Sequence, residues 1–280
     1  MKHKLLLFLS ITLSFLSAHG QVDTAYVRAH ALRITNAEQL SDSAYALLSP
    51  FRIIMFGEMH GTNESAPFVN GLARLFTGRG DSVLVGLEIP HGSMNRFAQQ
   101  RTDSSIYQSD FFVHPPYESG KESMPWAALI AALNRNPRVQ VFFFDVNEGE
   151  GKPYQRDSLM YANIKTACKQ HPGWRVITLT GNFHNRLTGE ANTASFLLHD
   201  KELNLVQAFC SLNMEYAQGT CTANFGHGLQ QKALGSYPSA YNSMPHYNRY
   251  LLLLPARANY PYTGMYYTRY ITAAKMTTGK

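Results

Sequence analysis

Four times along the chain, a short run of β-branched, aliphatic and aromatic residues stops at a polar turn and yields to a helical pattern. The runs cover residues 52–56, 82–87, 139–144 and 175–180, and each reads as a strand. The run at 82–87 is uninterrupted in its apolar character, as expected of a strand covered on both faces of a parallel sheet. Helical patterns follow at 64–76, 124–134, 156–170 and 194–199. In the first, Asn63 or Thr62 can cap the helix, and Pro67 is tolerable because it falls in the first turn. His171-Pro172-Gly173 closes the third. A further helix, with Asn36 as N-cap, is expected at 36–48, and a fifth strand at 203–210. Residues 93–123, with Pro115-Pro116, read as helices and loops lying over the sheet edge as part of a substrate cover. Beyond residue 210 the pattern changes to short strands with Gly, Tyr and Thr, among them 250–254 and the tyrosine-rich 260–270. The tyrosines between Tyr260 and Tyr270 read as strand packing, with an aromatic wall for a flat ligand as the alternative. Strand and helix alternating four times predict an α/β fold, a mostly parallel sheet flanked by helices, with antiparallel edge strands from the C-terminal quarter.

The first residues change that picture only at the margin. Met1-Lys2-His3-Lys4 is a short basic region, residues 5–16 are apolar, and Ser17-Ala18-His19-Gly20 supplies small residues before Gln21. This is the pattern of a signal peptide over residues 1–20, leaving 21–280 as a single α/β domain. The apolar run is too short to span a bilayer and no Cys follows it, so no membrane anchor is expected. The protein is therefore read as exported, to the periplasm or outside the cell. Removing Lys2 and Lys4 takes the formal charge from +6 to +4 with no basic run left, which argues against a nucleic-acid partner and reads as colloidal solubility; the expected partner is a small-molecule or peptide substrate. Cys168 reads as a buried free thiol, whereas Cys210 and Cys221 flank an expected strand-turn-strand and could pair. No Cys-x-x-Cys and no Cys-His cluster points to structural zinc.

Candidate chemistry gathers at the strand ends. The first strand runs into Gly57-Glu58-Met59-His60-Gly61-Thr62-Asn63-Glu64, the second into Glu88, the third into Asp145, and the fourth into Gly181-Asn182-Phe183-His184-Asn185-Arg186. Ligands of open α/β sheets bind beyond the carboxyl ends of the strands, and parallel neighbours set those ends side by side. Two copies of Gly-x-x-His, each closing a strand, are hard to attribute to packing, because Gly permits the tight turn and close approach that let His project over the sheet edge. The set supports two mechanisms. In one, His60 is a general base activating water, oriented by Glu58 or Glu88, while His184 or Arg186 stabilises an oxyanion. In the other, His60, Glu88 and His184 ligate a divalent metal (zinc, manganese or iron) whose bound water is the nucleophile. A Ser nucleophile is disfavoured by the absence of a Gly-x-Ser-x-Gly elbow. Asp145 has the right position without a distinctive motif and reads equally as a site acid or a loop start. Arg96, eight residues past Glu88, reads as a helix cap with a place facing the cleft as the alternative, and His91, His114, His227 and His246 read as loop or surface residues.

Taken in order, the two Gly-x-x-His motifs and the intervening Glu88 resemble the erythromycin esterase/ChaN/Tiki–TraB superfamily over roughly residues 50–225. The resemblance implies a hydrolytic site with His60 as the leading catalytic residue, Glu58 and Glu88 as its acidic partners and His184 as the second imidazole. The first motif departs from the macrolide esterases, which place two residues between Glu and His where this chain has only Met59. The chain is also too short for their large helical insertion, so macrolide specificity does not carry over. The ChaN-like branch is nearer in size and in the Gly-Glu-x-His form and implies haem or iron binding; the Tiki branch implies metal-dependent peptide cleavage. The expectation is an exported hydrolase of ester or amide bonds, with a non-catalytic haem- or iron-binding protein as the alternative and motifs retained for folding alone as a third reading.

Overall fold

The computed structural model describes residues 24–92, 106–113, 118–188, 191–235, 247–255 and 260–277. The expected signal peptide, Arg96, His114 and His246 lie outside them. Nine strands form one sheet: β1 Leu32–Arg33, β2 Ile53–Glu58, β3 Val83–Pro90, β4 Val139–Asp145, β5 Arg175–Gly181, β6 Phe209–Asn224, β7 Leu229–Leu234, β8 Arg249–Leu253 and β9 Gly264–Ile271. Their order is β1-β8-β9-β6-β2-β5-β3-β4, with β7 paired to β6. The run β9-β6-β2-β5-β3-β4 is parallel throughout. β1–β8, β8–β9 and β6–β7 pair antiparallel. This is the mostly parallel sheet that the alternation predicted, with the antiparallel edge supplied largely by the last quarter of the chain.

The helices are α1 Thr24–His30, α2 Asp42–Leu48, α3 Ser65–Thr77, the single turn α4 Asp110–Val113, α5 Met124–Asn134, α6 Arg156–Gln170 and α7 Thr193–Leu198. All six residues of β2 are buried, because the strand is covered on both sides. Ile54 and Phe56 face a core with Phe68, Leu72 and Phe76 of α3 and Trp126, Ile130 and Leu133 of α5. Ile53 and Met55 face a second core with Met160, Ile164 and Cys168 of α6 and Leu197 of α7. Burying a side chain of this size contributes about 1.5–3 kcal/mol, so the central strand is fixed in depth and register. Among the described residues no helix is long and apolar enough to cross a membrane.

Three expectations are corrected. The helix expected at 36–48 begins at Asp42: Ser41 is the cap and accepts from the Ala44 N–H, while Asn36 accepts from the Glu38 N–H in a turn. No strand forms at 203–208. Asp200 Oδ1 accepts from the Glu202 and Leu203 N–H groups, Asn204 takes a φ of 49°, and Leu205 is buried from within a turn. A short apolar run does not distinguish these two outcomes. Cys210 and Cys221 lie on one continuous strand rather than on either side of a turn, and all three cysteines are free. At about 3.3 Å per residue, eleven steps along β6 separate them by roughly 35 Å, far beyond disulfide reach.

Two backbone contacts carry the turn after β2. Gly61 takes a φ of +74°, and its carbonyl accepts from the N–H groups of Thr222 and Ala274. A Cβ at this position would lie 1.8 Å from the Thr222 carbonyl oxygen. Gly80 also has positive φ (+94°) but nothing within 4 Å of its ideal Cβ. Gly80→Ala should therefore cost only the left-handed backbone term, about 1–2 kcal/mol, and Gly61→Ala clearly more, as read by urea unfolding. Equal costs would show that the Gly61–Thr222 contact yields without strain.

Candidate active site

The four strand ends do meet. β2, β5, β3 and β4 are consecutive neighbours, with Glu58 opposite Gly181 in one register and Pro90 opposite Asp145 in another. Glycine is required where the two Gly-x-x-His turns touch. A Cβ on Gly57 would lie 2.9 Å from Asn182 Cα, and one on Gly181 would lie 3.0 Å from His60 Nε2 and 3.6 Å from Glu88 Oε2. The Asn185 side chain braces the second turn by accepting from the Thr180 hydroxyl.

Each imidazole is held at Nδ1 by its own carboxylate. Glu58 is buried and accepts from His60 Nδ1 at 3.0 Å and Trp126 Nε1 at 3.1 Å through Oε1, and from the Ser65 hydroxyl through Oε2. Asp157, the second residue of α6, accepts from His184 Nδ1 at 2.9 Å and from the N–H and hydroxyl of Thr193. Both Nε2 atoms face the same oxygen, Glu88 Oε1, at 3.7 Å from His60 and 3.8 Å from His184.

Glu88 is the centre of the cluster, its side chain only 1% exposed. Its Oε1 accepts from Lys121 Nζ at 3.0 Å and from Arg156 Nη2 at 2.5 Å, and its Oε2 from the Gly181 N–H at 2.6 Å. Both cations also reach Asp145. Lys121 Nζ is 3.2 Å from Oδ2, and Arg156 grips the carboxylate through Nε at 2.9 Å and Nη2 at 2.8 Å. Arg156 Nη1 donates to His184 Nε2 at 3.0 Å. Because a guanidinium can only donate, His184 Nε2 must accept, which leaves its proton on Nδ1 toward Asp157.

Lys121 reaches this depth because its loop is pinned. Gly120 has a φ of +94°, and a Cβ there would lie 2.7 Å from both the Gly61 nitrogen and the Thr222 carbonyl oxygen. Glu122 closes the loop by accepting from the Ser119 hydroxyl and the Gly120 N–H.

The charges act in opposite directions on acids and bases. Burial would raise the Glu88 carboxyl, but the charges of Lys121 and His60 hold it well below the usual carboxylate range. Burial likewise works against ionised Asp145, and Lys121 with Arg156 lowers it nonetheless. Lys121 is desolvated, yet Glu88 and Asp145 raise it above its ordinary value. Desolvation disfavours the His60 cation; the charge of Glu88 and the hydrogen bond of Glu58 overcome it and push the imidazole up to about 9.

The structure thus brings together His60, Glu58, Glu88 and His184 from the expected set, and places Asp145 beside them. The Arg186 guanidinium lies over the Phe183 ring at 4.6 Å. The guanidinium on Glu88 belongs to Arg156, which the sequence did not single out, nor did it single out Lys121, Asp157 or Trp126. His91 ends β3 in contact with Glu150 and Asn147, and His227 lies in an exposed turn.

A divalent metal does not fit these residues. Lys121 and Arg156 occupy the Glu88 and Asp145 oxygens that would ligate it, and Arg156 occupies His184 Nε2. Among the described residues no three His, Cys, Asp or Glu side chains are grouped to hold an ion.

The raised His60 value has a sign for stability. A cation whose folded pKa exceeds its unfolded value of 6.5 stabilises fully below 6.5, and that contribution is lost as pH rises through about 9. The difference corresponds to on the order of 3 kcal/mol. Urea unfolding at about pH 6 to 10 should show this decline in the wild type and a flatter profile in His60→Gln. Parallel profiles would mean that His60 is not held as a cation.

No protein-family model matches the sequence, and no curated protein does. Solved structures do match. A Bacillus cereus protein aligns at 11% identity with a TM-score of 0.62, covering 90% of this chain and 98% of that one. A succinoglycan biosynthesis protein aligns at 10% identity with a TM-score of 0.64, covering 90% and 97%. A mutant of the erythromycin esterase EreC in its open conformation aligns at 11% identity with a TM-score of 0.53, covering 86% and 96%. At such identities what is shared is the architecture. In fold, the chain is erythromycin esterase-like, in line with the ordered motifs that suggested it.

Proposed function

We propose that the protein is an exported hydrolase that cleaves an ester or amide bond with water activated at His60. One observation carries this reading. A rigid carboxylate, itself locked by Trp126 and Ser65, holds His60 at Nδ1, so that Nε2 is aimed over the sheet edge, and among the described residues it makes no hydrogen bond, Glu88 Oε1 standing 3.7 Å away. That is the arrangement of a general base and its orienting acid. The His60 side chain is 24% exposed, so the ring is partly open to solvent. The fold shared with EreC, an erythromycin esterase, supports hydrolysis over pure binding.

In the reaction, water adds its oxygen to the substrate carbonyl carbon while its proton passes to His60 Nε2. The carbonyl π pair moves onto oxygen as an oxyanion. Collapse of that intermediate expels the leaving group, which takes the proton from His60. Glu58 fixes the ring, and Glu88 stabilises the imidazolium between the two transfers.

Haem binding is less well supported, because an axial ligand needs an imidazole nitrogen open to iron. His184 Nε2, one of the two candidate ligands, is engaged by Arg156.

Hydrolysis of 4-nitrophenyl acetate tests the reading. His60→Ala should lower turnover by at least ~10²-fold. Because the base is protonated below about 9, the wild-type rate should climb with pH and level off near that value. A rate that instead falls through this range would make His60 an acid. Undiminished turnover in His60→Ala, or a Soret band on haem titration that depends on His60 or His184, would reject the hydrolase.

A further inference from the structure

The second imidazole has no free nitrogen, and this bears on which group meets the negative charge formed in the reaction. Resting on the hydrolase reading, we infer that Arg156 is the catalytic residue that stabilises the developing oxyanion, and that His184 with Asp157 is the device that positions it.

The guanidinium carries five N–H donors in one plane. Four have acceptors: Nε on Asp145 Oδ1, Nη2 on Asp145 Oδ2 and Glu88 Oε1, and Nη1 on His184 Nε2. Among the described residues one Nη1 hydrogen has no acceptor, in a group whose plane is fixed on three sides. The Arg156 side chain is 32% exposed, against 6% for Lys121 and 15% for His184. Of the two cations on Glu88, Arg156 is therefore the one a substrate can touch, while Lys121 is the buried counter-ion. A donor held in place before charge appears needs no reorganisation during the reaction, which is the condition under which such groups accelerate acyl transfer most.

His184 cannot fill this role, because its Nε2 accepts from Arg156 and its Nδ1–H is directed to Asp157. For the same reason it is a poor alternative base. Asp157 is in turn held by the N–H and hydroxyl of Thr193. The chain Thr193–Asp157–His184–Arg156 ends at the spare donor, and it runs from the first turn of α7 through the first turn of α6.

Three variants and one anion test the assignment. Arg156→Ala should lower kcat on 4-nitrophenyl acetate on the order of 10²-fold with little change in KM, and millimolar guanidinium should restore part of the loss. Arg156→Lys keeps the charge against Glu88 and Asp145 but not the planar fork. It should unfold like the wild type and still lose kcat. His184→Gln retains an acceptor for Arg156, so it should lose on the order of tenfold, well short of His60→Ala, and keep the rise in rate toward alkaline pH.

Phenylphosphonate, a tetrahedral anion, gives a readout without turnover. Calorimetry should detect binding to the wild type and to His60→Ala, and none to Arg156→Ala. The inference is overturned if the wild type does not bind the anion, if Arg156→Ala binds it equally, or if His184→Gln is as inactive as His60→Ala. Failure of the hydrolase reading shows separately, as turnover that does not depend on His60.

Discussion

A buried carboxylate is tolerable only when cations and hydrogen-bond donors surround it, and Glu88 imposes that condition on everything near it. Its two oxygens are met by a lysine from a loop between two helices, an arginine from the first turn of α6 and a backbone N–H at the end of β5. Two imidazoles stand one step further out. Removing one cation would leave the acid with an unmatched charge, so parts of the chain up to 93 residues apart in sequence are compelled to converge. The same convergence shapes the chemistry: it keeps one imidazole cationic at neutral pH and forces the other to accept a hydrogen bond.

The fold was readable because the central strands are covered on both faces. That coverage demands continuous apolar runs, and it makes their ends conspicuous where polarity returns. Glu58, His60, Glu88, Asp145 and His184 all stand at such ends, so position along the chain nearly sufficed to find them. The misreadings fell where a short apolar stretch had no such boundary. Leu203 and Leu205 contribute to a core from a turn, and β6 continues without a break through the place where a turn was expected.

The missing half of the site was hidden for a different reason. Trp126 looks like any core residue of α5, and only its ring nitrogen gives it a second role. Lys121 sits in a polar loop whose path depends on Gly120 resting against Gly61, a contact that no local pattern reveals. Arg156 did leave a trace. A cation in the first turn of a helix opposes the helix dipole, so its presence there implied that carboxylates from elsewhere hold it. Asp157 beside it satisfies the dipole and, at the same time, His184.

The Gly61 turn rests on partners that the ribosome makes late. Its carbonyl oxygen is bound by the amides of Thr222 and Ala274, and Asn63 and Glu64 are tied to Thr272 and Ala273. Asn63 and Ala273 are 210 residues apart, so the turn that carries His60 lacks its brace until that later segment has been made. A nascent chain therefore carries the His60 turn unbraced, and the cluster around it takes its shape only once residues 272–274 have docked.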